Sequence, residues 1–201
     1  MSEPTPTPTA SCTPIAKSLG WCQGTPVLPG IRDKVYYVHK ADIVSWPTIA
    51  TDSYGRPTAA KYSGNFTLAT GKKFHTIDII ADKSTLTSEA QGEVPSQTQL
   101  NKATLLHPTV GEAATEAASY INNSDIVFIV CDKNGKYRVL GNENYNTKVT
   151  IAQDLGQGAT GNASTTINIE VTDMMPAPFY EGEIETENGT INEQPEDDEE
   201  E

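Results

Sequence analysis

A chain of 201 residues has room for one domain with extended arms, and at 36% apolar residues part of it stays outside any core. The formal charge of -13 is concentrated at one end: residues 181–201 hold eleven acids and no base, and the first 180 hold sixteen acids against fourteen bases. A nearly neutral body without a Lys or Arg cluster excludes the footprint that sequence-specific nucleic-acid binding needs.

Residues 1–18 open with alternating Pro and Thr, which favours hydrated, extended backbone with nothing to bury. They are read as a flexible N-terminal segment without the basic and apolar regions of a secretory signal. Residues 19–180 are read as a single β-rich domain, and 181–201 as a disordered acidic tail of self-repelling charge. The domain begins with "SLGWCQGTPVLPGIRDK", where Leu19, Trp21, Val27, Leu28 and Ile31 stand among three glycines and two prolines. It is too broken for one regular element and too apolar for a free tail.

"KVYYVHK", residues 34–40, predicts a strand with Val35, Tyr37 and His39 on one face and Tyr36 and Val38 on the other. A second strand over 42–46 must stop before Pro47. Residues 50–63 have Gly, Pro and no period, and read as a long exposed loop. "GNFTLAT" and "KKFHTIDIIAD", divided by Gly71, read as a hairpin with Ile77, Ile79 and Ala81 on one face. Residues 82–108 form a second long polar loop or extended hairpin, with Leu86, Val94 and Leu100 as its large anchors.

Thr109-Val-Gly-Glu112 fits a capping box, and Ala113, Ala117, Tyr120 and Ile121 supply a short apolar stripe, so a helix is predicted over 110–122. "DIVFIVC" then reads as a central strand buried on both faces. Asn134-Gly135 suits a type I′ turn returning into "YRVLG". "KVTIAQDL" and "TINIEVTDM" form a last pair around a glycine-rich loop. Eight to ten strands and one helix predict a mainly β fold, an antiparallel β-sandwich or barrel with one flanking α-helix at about 110–122 and long loops.

Candidate chemistry is sparse. Gly156, Gly158 and Gly161 have the G-x-G-x-x-G spacing of a dinucleotide site, but that site needs a helix after the glycines. Here Ile167, Ile169 and Val171 alternate with polar residues, the period of a strand. His39-x-x-Asp42 and His75-x-x-Asp78 point their side chains to opposite faces of strands, and His107 stands alone, so no metal set emerges. "DKNGK" lacks the later acidic ligands of a calcium loop. Cys12, Cys22 and Cys131 have no C-x-x-C and read as buried free thiols. No G-x-S-x-G occurs. The sequons at Asn65, Asn122, Asn162 and Asn188 matter only in a eukaryotic secretory route. The longest apolar run is too short to cross a bilayer. The expectation is a soluble, non-enzymatic protein made in the cytoplasm, with no catalytic residues, cofactor, metal or membrane.

The remaining features suit contacts. "MMPAPFYEGEI" sets Met174, Met175, Phe179 and Tyr180 around two prolines. With Trp21, Leu28, Leu86, Val94 and Leu100 they are the candidate subunit-contact residues, unless these segments wrap their own domain. The stretches "GWCQGTPVLPGIRDKVYYVHKADIVSWP" and "GNFTLATGKKFHTIDIIADKSTLTSEAQGE" resemble phage structural proteins. Over residues 20–180 the plan resembles the major tail proteins of long-tailed phages. That resemblance implies a virion component made in the host bacterial cytoplasm, a homo-oligomer contacting other virion proteins. It implies sheets joined edge to edge around a lumen, the 110–122 helix outside, and 82–108 as the loop between rings. Alternatives are a capsid-decoration or head-fibre protein, or a surface-displayed carbohydrate- or protein-binding β-module using Trp21, Tyr36, Tyr37, Trp46 and Tyr54. A hydrolase on a β-scaffold would need two close carboxylates.

Overall fold

Residues 15–192 are described by the structure, a computed structural model. After an irregular lead, β1 (Ile31–His39) sends Val35 to one side and Tyr36 and Val38 to the other, all buried. A 3-10 turn leads to β2 (Ile43–Ser45), and β3 (Thr48–Thr51), β4 (Pro57–Ser63), β5 (Thr67–Leu68) and β6 (His75–Asp78) follow. Next come β7 (Thr85–Gln91), β8 (Thr98–His107) and α1 (Glu112–Ile121). β9 (Ile126–Asp132), β10 (Tyr137–Leu140), β11 (Lys148–Asp154) and β12 (Ser164–Asp173) carry the chain back and forth. It closes with β13 (Phe179–Tyr180), β14 (Ile184–Thr186) and β15 (Gly189–Ile191).

Two sheets form the sandwich. One has seven strands in the order β3-β4-β13-β10-β9-β1-β6, antiparallel except for the two-residue β4–β13 pairing. The other is an antiparallel sheet of four, β11-β12-β8-β7. β9 lies between β1 and β10, and six of its seven residues are buried, because both faces of its sheet are covered. Its Ile126, Phe128 and Val130 meet Leu105, Ile167, Ile169 and Val171 of the smaller sheet, with Ile121 of α1. Its Val127 and Ile129 face the opposite way, joining Tyr36, Val38, Phe74, Tyr180 and Ile184 in a second core. The β2–β5 and β14–β15 ribbons cap that second core as a thin third layer. Among the described residues the fold is thus mainly β with one α-helix, and a sandwich, since no sheet there closes into a barrel.

Several local expectations change. Residues 50–63 are the β3–β4 hairpin, whose tip is knit by Asp52: its Oδ1 accepts from the Tyr54 and Arg56 amides, each at 2.9 Å. Residues 82–108 are the β7–β8 hairpin, and β8 lies inside the four-stranded sheet. They read as loop because one face meets solvent and the other carries small or polar residues such as Ser88, Asn101 and Ala103. The two stretches around Gly71 do not pair with each other. β5 goes to β2 and β6 goes to β1, since partners remote in sequence offered more apolar surface.

The helix starts later than the capping box demands. Gly111 is its N-cap without a side-chain bond, and Thr109 is engaged by His107 instead. The β9–β10 turn is not type I′, because only Gly135 of the Asn134-Gly135 pair has positive φ, at 86°. Gly135 donates to the Asp132 carbonyl at 3.0 Å, a one-residue-longer loop with glycine in the left-handed position. The acidic segment does not leave the fold at residue 181. β14 and β15 pair, and Ile184 and Thr186 are buried; only residues 193–201 of the expected tail lie outside the described residues. At the other end, residues 1–14 lie outside them, and 15–18 are exposed and irregular.

Candidate assembly surfaces

The residues with the most enzyme-like spacing serve local structure. The glycine-rich loop joins β11 to β12 and folds onto itself. A Cβ on Gly156 would lie 2.9 Å from the Asn162 nitrogen, and one on Gly161 would overlap the Gln157 backbone. The spacing therefore answers a self-contact of the loop, and strand β12 follows where a dinucleotide site needs a helix. His107 Nδ1 bonds the Asp78 carbonyl oxygen at 2.7 Å and Nε2 bonds Thr109 Oγ1 at 2.9 Å, tying the end of β8 to β6. His75 stacks against Tyr37. Among the described residues no three His, Cys, Asp or Glu side chains converge to hold a metal ion. Nor is any helix there long and apolar enough to cross a membrane.

The cysteines divide. Cys131 is buried in β9, and burial pushes its thiol pKa up, with Asp132 adding to the effect and Arg32 opposing it. Cys22 is exposed, against the expectation of burial, in an irregular segment whose residues 15–30 are all exposed. Cys12 lies outside the described residues. The five aromatics weighed as a sugar platform are not on one surface. Tyr36 and Tyr37 alternate to opposite faces of β1, Trp46 packs on Phe66, and Tyr54 sits at the β3–β4 tip under Arg56.

The nine candidate contact residues separate by burial. Met175 and Tyr180 are buried in their own domain, which corrects their reading as contact residues. Asn101 explains the first. Its Nδ2 donates to the Met175 carbonyl at 3.2 Å and its Oδ1 accepts from the Ala177 amide at 3.0 Å, drawing the proline-rich segment over the sheet. Tyr180 accepts from the Phe66 amide and donates to the Glu183 carbonyl at 2.9 Å, and burial pushes its pKa up to about 12. Phe179 is half-buried beneath Arg138, 4.0 Å from the ring centroid. Leu86 and Leu100 are half-buried within the four-stranded sheet. Four remain largely exposed: Trp21 at 73%, Leu28, Val94 at the β7–β8 tip at 84%, and Met174.

Two surfaces escaped the sequence reading. The first is the outer face of the four-stranded sheet. Register aligns Thr85, Thr104, Asn168 and Thr150 in one row and Thr87, Lys102, Glu170 and Lys148 in the next. Thr104 bonds Asn168 at 3.0 Å, Lys148 pairs with Glu170, and Lys102 pairs with Glu89, so the charges of these rows balance. The alternating polar positions of "TQLNKATLLH" were the available signal. The second is a cleft of about 210 Å³ between α1, β6 and β11, lined by Tyr37, Ile77, Ala113, Ala117, Ile151 and Ile167 among others. The alanines that read as a packing stripe leave this space open, because their side chains are too short to fill it.

At the opposite flank Asn134 clamps the irregular lead. The Leu28 amide donates to Asn134 Oδ1 at 3.2 Å, and Asn134 Nδ2 donates back to the Leu28 carbonyl at 3.3 Å. Upstream of that clamp Leu19 is fully exposed. Compared with protein-family models, curated protein sequences and solved structures, the chain gives no match in any of the three.

Proposed function

We propose that the chain is a non-enzymatic structural subunit that joins copies of itself edge to edge into rings, in the manner of the tail-tube subunit of a long-tailed phage, where stacked rings form a conduit for DNA. The observation that carries this reading is the four-stranded sheet. Its edge strands β7 and β11 face solvent at most positions and, among the described residues, have no further neighbour in the sheet. The four strands alternate in direction, so β7 and β11 run antiparallel to one another. A rotated copy can therefore set its β11 beside this β7 and continue the same antiparallel ladder. A closed ring of such copies leaves no edge, which removes the hazard that two exposed edge strands otherwise present. The outer face of the joined sheets would be polar and charge-balanced, a hydrated lining that gives phosphate no basic stripe to hold.

The test is the mass of the full-length protein in solution, with negative-stain images of the same fractions. Rings, discs or tubes support the reading; a strict monomer at high concentration overturns it. Two variants locate the contact. Neighbouring residues of an edge strand direct their N–H groups alternately inward and outward, so one of Thr87→Pro and Ser88→Pro removes only an outward donor. That variant is expected to keep the fold and lose the ring.

A further inference from the structure

The two flanks of the sandwich are complementary. On the β7 side, Leu28 lines a pocket together with Leu86 and Ser88, so the irregular arm of residues 15–28 leaves the domain beside the β7 edge. On the β11 side, the open cleft lies between α1 and Ile151 of β11, where Thr115 of the helix bonds Gln153 of the strand at 3.2 Å. Pairing β7 of one copy with β11 of the next brings the arm of the first against the cleft of the second. We infer that the apolar arm of one copy, through Leu19 and Trp21, occupies the cleft beneath α1 of its neighbour; this rests on the ring reading above.

Three further observations favour a second copy as the occupant. Leu19, Trp21 and Val27 are exposed in the isolated chain, a run of apolar side chains with no cover of its own. Charge agrees: Lys17 is the one charged residue of the segment 15–30, while α1 carries Glu112 and Glu116 and no base, and Asp78 lines the cleft. Reach agrees as well. The stretch from Leu28 to Trp21 holds a turn closed by the Thr25 amide on the Cys22 carbonyl at 3.2 Å; with that turn opened it would span about 24 Å, enough to cross several strands at their usual spacing. Among the described residues Lys17 Nζ holds the arm upstream, donating to the Thr58 carbonyl at 2.7 Å, a bond that an exchange between copies would give up.

Cys22, exposed beside Trp21, makes the contact testable. Full-length Cys12→Ser, Ala113→Cys protein is assembled, the ring fraction is isolated by mass, and a mild oxidant is added. The inference expects most chains to be joined between copies by a disulfide from Cys22 to the thiol introduced at position 113. A control lacking Ala113→Cys should remain uncrosslinked. In the parent protein, assembly should shift Trp21 emission to the blue, a change lost in Trp21→Ala. Rings that form without the cross-link and without the shift overturn the arm's placement and leave the ring reading standing. Failure to assemble, seen before oxidant is added, overturns both.

Discussion

Asp173 closes β12 with 5% of its surface exposed, and its Oδ2 is a buried oxygen that finds no hydrogen-bond partner among the described residues. Burial raises its pKa above the usual 3.8, against the opposing hydrogen bonds of the Met174 amide, Asn142 and the Met175 amide. Replacing it as Asp173→Asn removes the charge and keeps the shape. An unpartnered buried charged oxygen costs about 1–3 kcal/mol, and the amide that replaces it gives back a share through its own unpaired N–H, so the net gain at pH 7 is about 1–2 kcal/mol. For a chain of this size that is about 2–8 °C in Tm. The pH dependence fixes the sign. An acid whose folded pKa is raised holds its proton more tightly in the native state, so its contribution is fully present below 3.8 and is lost as pH rises through the folded value. Thermal unfolding of both proteins by circular dichroism should show matching Tm values at pH 3 and a more stable variant at pH 7. A gap of equal size at both pH values, or a variant less stable than the parent at pH 7, would refute the reasoning.

The other stability predictions concern segments whose roles the sequence hid. Ending the chain after Tyr180 removes buried Ile184 and uncovers the second core, and should cost at least about 2 kcal/mol, whereas ending it after Asn192 should leave Tm nearly unchanged. Equal melting of the two truncations would return the acidic segment to a passive role. Asn101→Leu removes the donor to the Met175 carbonyl and leaves the Ala177 amide only its 3.4 Å bond to Ser88 Oγ, and denaturant unfolding should show a loss of about 1–3 kcal/mol. A loss below about 0.5 kcal/mol would mean that Asn101 does not hold the proline-rich segment down.

What the sequence by itself determined are the elements whose pattern is local. "KVYYVHK" and "DIVFIVC" declare strands covered on both sides, because an apolar residue on each face needs a layer on each face. Ile167, Ile169 and Val171 alternate with polar neighbours, and that alone separates β12 from a nucleotide-binding helix. The tertiary structure decided the rest. β8 buries Asn101 and Ala103 where a pattern search looks for large hydrophobes, and the polar Asn101 is tolerated because Ser88 and the Met175 carbonyl satisfy it. β14 forms in an acidic run because Ile184 and Thr186 meet a core already built by β1, β9 and β10. Met175 and Tyr180 looked like contact residues and are interior, while Trp21 and Leu19 remain outside. An apolar side chain has no preference between its own domain and a neighbour's. Which one receives it depends on where long-range strand pairing leaves a surface to cover, and that pairing is a property of the whole chain.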